Sequence, residues 1–160
     1  MTSLSLSEKD AASLPVDTLV VGVGTESGAP VLISASALPR ATRDGLAEVL
    51  AGLGVTGAVE EVLRIPAGAE VKATTITLTG LGAVPGRRGY QPEALRRAAG
   101  AASRAVAGLD AAAFLLPGED EASVAAVAEG ALFGAYSFTR HRLKTAADEK
   151  APLRSAVVVT

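Results

Sequence analysis

Asp17-Thr18-Leu19-Val20-Val21-Gly22-Val23-Gly24 is a short, continuous apolar run, preceded by Pro15 and ending in glycines. A strand with one wet face alternates apolar and polar residues. This run does not alternate, so it reads as a strand buried on both faces and central in its sheet. Such a strand needs cover above and below, and the segments around it are readable as that cover.

Upstream, Leu4 and Leu6 alternate with Ser3, Ser5 and Ser7, which predicts a first strand with one face in water. Downstream, Ala29-Pro30-Val31-Leu32-Ile33 predicts a brief strand that Pro30 confines to an edge or a strand start. Leu46, Val49, Leu50 and Leu53 recur at helical spacing, with Thr42 as the predicted N-cap and Gly52 and Gly54 as the stop. Val62-Leu63-Arg64-Ile65 before Pro66 predicts a short strand. Thr75-Ile76-Thr77-Leu78-Thr79 is β-branched at every position but one, and Gly80-Leu81-Gly82 is expected to end it.

Pro92 opens the clearest helix. Leu95, Ala98, Ala99, Ala102, Ala105, Val106 and Leu109 fall on one stripe, and Glu93 is spaced to pair with Arg97 one turn on. Ala111 to Leu116, closed by Pro117-Gly118, predicts a buried strand. Glu119, Asp120 and Glu121 then place negative charge at a helix N-terminus, and Val124, Val127, Ala128, Ala131 and Ala135 form the stripe of that helix. Gly130 and Gly134 lie one turn apart, which predicts a close approach to a neighbouring helix. A basic connection from Thr139 to Pro152 leads to a final strand, Ser155 to Thr160, which stops where the chain stops; a boundary between domains is expected there.

Strands alternating with helices make an α/β protein: a three-layer sandwich whose mixed, mostly parallel sheet carries helices on both faces. At 160 residues one domain, residues 1–160, fills the chain. Aromatics are 3% and Trp is absent, so the core is expected to be Ala, Val, Leu and Ile, with small residues letting helices sit close to the sheet. A net charge of −2 gives no global basic field for nucleic acid, and the lack of Cys excludes disulfides, thiolate metal sites and a Cys nucleophile. There is no basic segment followed by an apolar stretch at the start and no run long enough to span a membrane, so a soluble, cytoplasmic chain is expected.

The familiar chemical motifs fail one by one. After Gly22-Val23-Gly24 and Gly80-Leu81-Gly82, the third glycine of a dinucleotide fingerprint would fall at Ser27 and Pro85. His141 is the only histidine, flanked by Arg140 and Arg142, and reads as a solvated residue after a helix. Consecutive Glu119, Asp120 and Glu121 diverge around a helix and do not converge on an ion. Arg87-Arg88, Arg96-Arg97 and Arg140 to Lys144, with Tyr90 and Tyr136, could form a basic patch touching DNA, a low-weight alternative to solvated helix faces. No catalytic, cofactor-binding or metal-binding residue is assigned.

The stretch from Glu129 to Lys144, EGALFGAYSFTRHRLK, is similar to a motif of the leucyl (cytosol) aminopeptidase family, E-G-x-x-L-G-x-Y-x-F, with His141 where Tyr is commoner. Asp17 to Gly24, Thr79 to Gly82 and Glu93 to Ala102 resemble that family's N-terminal segments in order and spacing. The resemblance implies a macro-domain-like accessory domain that packs on its own C-terminal catalytic domain in a homo-hexamer. It also implies that two divalent metal ions, Mn or Zn, and the peptide substrate are held by that catalytic domain. The family's N-T-D-A-E-G-R signature cannot occur here, because the chain has no Asn. The alternatives are a free-standing module binding ADP-ribose or a related nucleotide, and contact with DNA.

Overall fold

The computed structural model describes residues 1–136 and 150–160. Its elements, in chain order, are β1 (Ser3–Ser7), β2 (Thr18–Glu26), β3 (Ala29–Ile33), α1 (Arg40–Val49), β4 (Val62–Pro66), β5 (Thr75–Ala83), α2 (Pro92–Ala105), β6 (Ala111–Leu115), α3 (Glu121–Ala135) and β7 (Ser155–Val159). The sheet runs β1-β7-β6-β2-β5-β4, with β3 also pairing β2. Pairs β1–β7, β7–β6, β6–β2 and β2–β5 are parallel, whereas β4–β5 and β2–β3 are antiparallel.

The opening run is the middle of this sheet. One edge of β2 pairs β5 over its length; the other pairs β6 through Val21 and then β3 from Gly22. Leu19, Val20, Val21 and Val23 are all 0% exposed, as an unalternating strand requires. The strand outlasts Gly24 because a two-residue turn, Ser27-Gly28, folds it onto β3. Both turn residues have positive φ, 50° and 79°, the requirement of a type I′ hairpin. Pro30 sits in β3, which among the described residues pairs with β2 alone, in keeping with its confinement to an edge.

Side chains alternate across the sheet into two cores. Val20, Phe114, Ala156 and Val158 face α2 and α3, while Leu19, Val21, Ile76, Leu78 and Leu115 face α1 and the segments around Val55 and Val71. Helices therefore cover both faces, in three layers.

The helical layer of α2 and α3 is built on glycine. A Cβ on Gly130 would collide with the Arg96 carbonyl oxygen, and one on Gly134 with the Gly100 carbonyl oxygen. These two pairs advance together, so the helices run parallel with backbones almost touching, and the Ser103 hydroxyl donates to the Ala131 carbonyl at 2.7 Å across the seam. Because α3 covers a second side of α2, Gly100, Ala101 and Ser103 are buried as well as the predicted stripe. Ala105 at the end of α2 is exposed, contrary to expectation, and Leu109 is only half-buried.

Four further expectations are corrected. α1 starts at Arg40 after Pro39, with no side-chain cap; the Thr42 hydroxyl instead donates to the Glu70 carboxylate at 3.3 Å. Because α1 stops at Val49, only Leu46 and Leu50 of its stripe are buried, and Val49 and Leu53 stay exposed. β5 does not end at Gly80: Leu81 is an extra residue opposite β2, a bulge that lets the strand continue to Ala83. Arg97 pairs with Glu60 at 3.1 Å, and Glu93 pairs with Arg96. Helix geometry alone matches Glu93 to Arg97, but the loop before β4 offers Arg97 the Glu60 carboxylate, which local spacing cannot reveal.

Candidate functional site

A concavity of about 630 Å³ opens where the parallel strands end. Open α/β sheets place ligands at that end, because loops from neighbouring strands diverge there. The sequence makes the loops sharply. Pro117-Gly118 closes β6, and the Asp120 carboxylate then accepts the Ser123 backbone N–H at 2.7 Å, starting α3 as its N-cap. That hydrogen bond holds the Asp120 carboxyl below the usual carboxylate range. On the opposite wall, residues 84–90 link β5 to α2. Ile33, Val84 and Leu116 give apolar lining, and Arg87, Arg88 and Glu119 give charge.

Tyr90 also lines the cleft, and its ring tip fills the space left by a glycine: a Cβ on Gly24 would lie 2.5 Å from Tyr90 Oη. That hydroxyl is sealed from solvent and has no hydrogen-bond partner among the described residues. Burial pushes its pKa up, so the phenol stays protonated.

The glycine runs examined as phosphate loops are strand interior. Gly22-Val23-Gly24 lies in β2 and Gly80-Leu81-Gly82 in β5, and neither opens into a helix. Glu119, Asp120 and Glu121 lie at the start of α3, with Asp120 spent on the cap; among the described residues no three His, Cys, Asp or Glu side chains group to hold a metal ion. His141, the Arg140 to Lys144 stretch and the second half of the EGALFGAYSFTRHRLK motif lie outside the described residues.

Among the described residues, the basic side chains do not assemble into one patch. Arg96 is held between Glu129, at 2.8 Å, and Glu93, hydrogen bonds that keep its guanidinium above its ordinary value. Arg87 and Arg88 line the cleft, whereas Tyr136 lies at the far end of α3 beside Met1, Thr2 and Pro152. Sequence reading missed the cleft itself. Its only local trace is a Pro-Gly pair after each of two strands, Pro85-Gly86 and Pro117-Gly118. No helix of the described residues is long and apolar enough to cross a membrane.

The chain resembles proteins of known name along nearly its whole length. A probable cytosol aminopeptidase of Streptomyces griseus is 49% identical over 144 residues, covering 89% of this chain and 28% of that protein. A point mutant of tomato leucine aminopeptidase superposes with a TM-score of 0.69 at 16% identity, over 100% of this chain and 32% of that one. A Trypanosoma brucei macrodomain solved in complex with ADP superposes with a TM-score of 0.61 at 14% identity, over 98% of this chain and 64% of that one. At such identities these two show the fold alone, an aminopeptidase N-terminal domain and a macrodomain alike. The chain spans less than a third of the Streptomyces relative's length. The family model described as "Cytosol aminopeptidase family, N-terminal domain" matches residues 20–145, and the chain belongs to that family as its N-terminal domain.

Proposed function

We propose that this chain is a non-catalytic accessory unit of a metal-dependent leucyl aminopeptidase. It packs on a C-terminal catalytic domain, contributes to assembly of a homo-hexamer and shapes peptide access. The parent enzyme releases N-terminal amino acids from peptides in the cytoplasm, using two divalent ions, Mn or Zn, held by the catalytic domain. The observation that carries this reading is the match to a family N-terminal domain in a chain that covers only 28% of the Streptomyces relative. The character of the described residues supports it: their buried threonine and Ser103 hydroxyls serve the fold, as where Thr18 and Thr77 bond each other at 2.8 Å or Thr79 donates to the Ala98 carbonyl at 2.9 Å.

The test is association. The 160-residue chain, mixed with the remaining C-terminal portion of the Streptomyces relative, is expected to co-elute with it in size-exclusion chromatography. Two separate peaks at concentrations well above about 1 μM, the middle of the affinity range of transient partners, would remove the packing role.

A second reading, a nucleotide-binding module, is favoured by the cleft's position and by the ADP complex of the macrodomain neighbour. Charge weighs against it. A phosphate at the start of α3 would meet Glu119 and the Asp120 carboxylate already seated there. Contact with DNA has the weaker footing, since Arg96 and Arg97 are neutralised by glutamates.

A further inference from the structure

From the distribution of charge in the strand-end cleft, we infer that it binds short, unblocked aliphatic peptides, with the peptide carboxylate at Arg87 and Arg88 and its ammonium at Glu119.

The inference starts from which charges are already satisfied. Arg40 and Arg43 pair with Asp44, Arg96 with Glu93 and Glu129, Arg97 with Glu60, and Arg154 with Asp110. Arg87, Arg88 and Glu119 all line one cleft, yet among the described residues none of them forms an ion pair. Glu119 reaches across to the opposing loop: a Cβ on Gly89 would lie 3.8 Å from Glu119 Oε2. Cation and anion therefore face the same space from two loops without neutralising each other. Asp120 spends one carboxylate oxygen on the Ser123 N–H, and its charge lies on the same wall of the cleft as that of Glu119.

That arrangement discriminates by ligand charge. An anion such as a phosphate gains Arg87 and Arg88 but meets Glu119; a simple cation gains Glu119 but meets both arginines. A zwitterion satisfies both ends at once, and guanidinium is suited to carboxylate through paired N–H donors. Ile33, Val84 and Leu116 offer an apolar wall for an aliphatic side chain between the ends. A cavity of about 630 Å³ exceeds the need of a single amino acid and falls in the usual range for small-ligand sites. The inference stands on cleft geometry and does not require the aminopeptidase reading.

The test titrates the dipeptide Ala-Leu into the isotopically labelled 160-residue chain and follows the amide resonances of Gly86, Gly89 and Gly118 by NMR. Saturable shifts with Kd on the order of 1 mM are expected, the weak affinity proper to an open site with exposed charges. N-acetyl-Ala-Leu and Ala-Leu amide, each lacking one charge, are expected to bind about three- to tenfold more weakly. Glu119→Gln should weaken Ala-Leu by a similar factor yet leave the acetylated peptide unaffected, and the double substitution Arg87→Gln/Arg88→Gln should do the same for the amide. Thermal unfolding of these exposed-site variants checks that the fold is retained. Shifts that do not saturate, equal binding of blocked and unblocked peptides, or tighter binding of ADP than of Ala-Leu would each overturn the inference.

Discussion

The two faces of the sheet are covered by different means. On one face two long parallel helices, α2 and α3, meet with no room for a methyl group at Gly130 or Gly134. On the other, the cover is assembled from α1, two short 3-10 turns at Ala11–Ser13 and Ala35–Ala37, and irregular chain around Val55 and Val71. The first face is fixed by backbone against backbone, which cannot give; the second is fixed by side chains from short segments, which can shift independently. Equal insults should therefore cost more on the helical face.

The largest contrast is expected from core truncation. Leu95→Ala, in α2, should lose about 4 kcal/mol, whereas Leu50→Ala, at the end of α1, should lose about 2 kcal/mol because the turn after it can close on the cavity. Denaturant unfolding of both variants measures the pair, and equal losses would break the comparison.

Glycine substitution sharpens it with opposite signs. Gly134→Val forces a side chain into the Gly100 carbonyl and should cost about 3 kcal/mol. Gly45→Ala in α1 meets nothing within 4 Å and should stabilise by roughly 0.5–1 kcal/mol through helix propensity. Thermal melts of the two variants should move in opposite directions.

Buried hydroxyls give the next step down. Thr18→Val leaves the Thr77 hydroxyl, its partner at 2.8 Å, without that bond in a fully buried site and should cost about 1–2 kcal/mol. Tyr90→Phe removes a hydroxyl that has no partner among the described residues and should leave stability unchanged or slightly raised. A destabilised Tyr90→Phe variant would show that its hydroxyl is bonded after all.

The smallest effect is a pH dependence at the start of α3. Asp120 titrates below its unfolded value of 3.8 because the folded state bonds the carboxylate to the Ser123 N–H. The sign follows from that depression. Its contribution is fully present above the unfolded value and is lost as pH falls through the lower, folded one. Asp120→Asn keeps a capping oxygen while removing the titration, so the difference between its melting temperature and that of the unsubstituted protein should narrow under acid.

Most of the framework was legible because it rests on local pattern. The unalternating apolar run marked β2, Pro92 marked the start of α2, and Gly130 with Gly134 marked a helix seam. What escaped is set by distant partners. Arg97 found Glu60 and not Glu93; Thr42 found Glu70 and not a helix cap; Gly80 became strand interior because a bulge at Leu81 carried pairing onward. The cleft escaped for the same reason, since Ile33, Arg87, Glu119 and Thr160 come together only when four separate strand ends meet. Spacing along the chain carries no trace of that meeting.

Under the proposed function, peptide-bond hydrolysis belongs to the catalytic domain and not to these 160 residues. The most direct test of that division is hydrolysis of leucine p-nitroanilide by the purified 160-residue chain in the presence of manganese or zinc. Release of nitroaniline at the rate of buffer and metal without protein is expected. Saturable turnover that rises in proportion to chain concentration would contradict it.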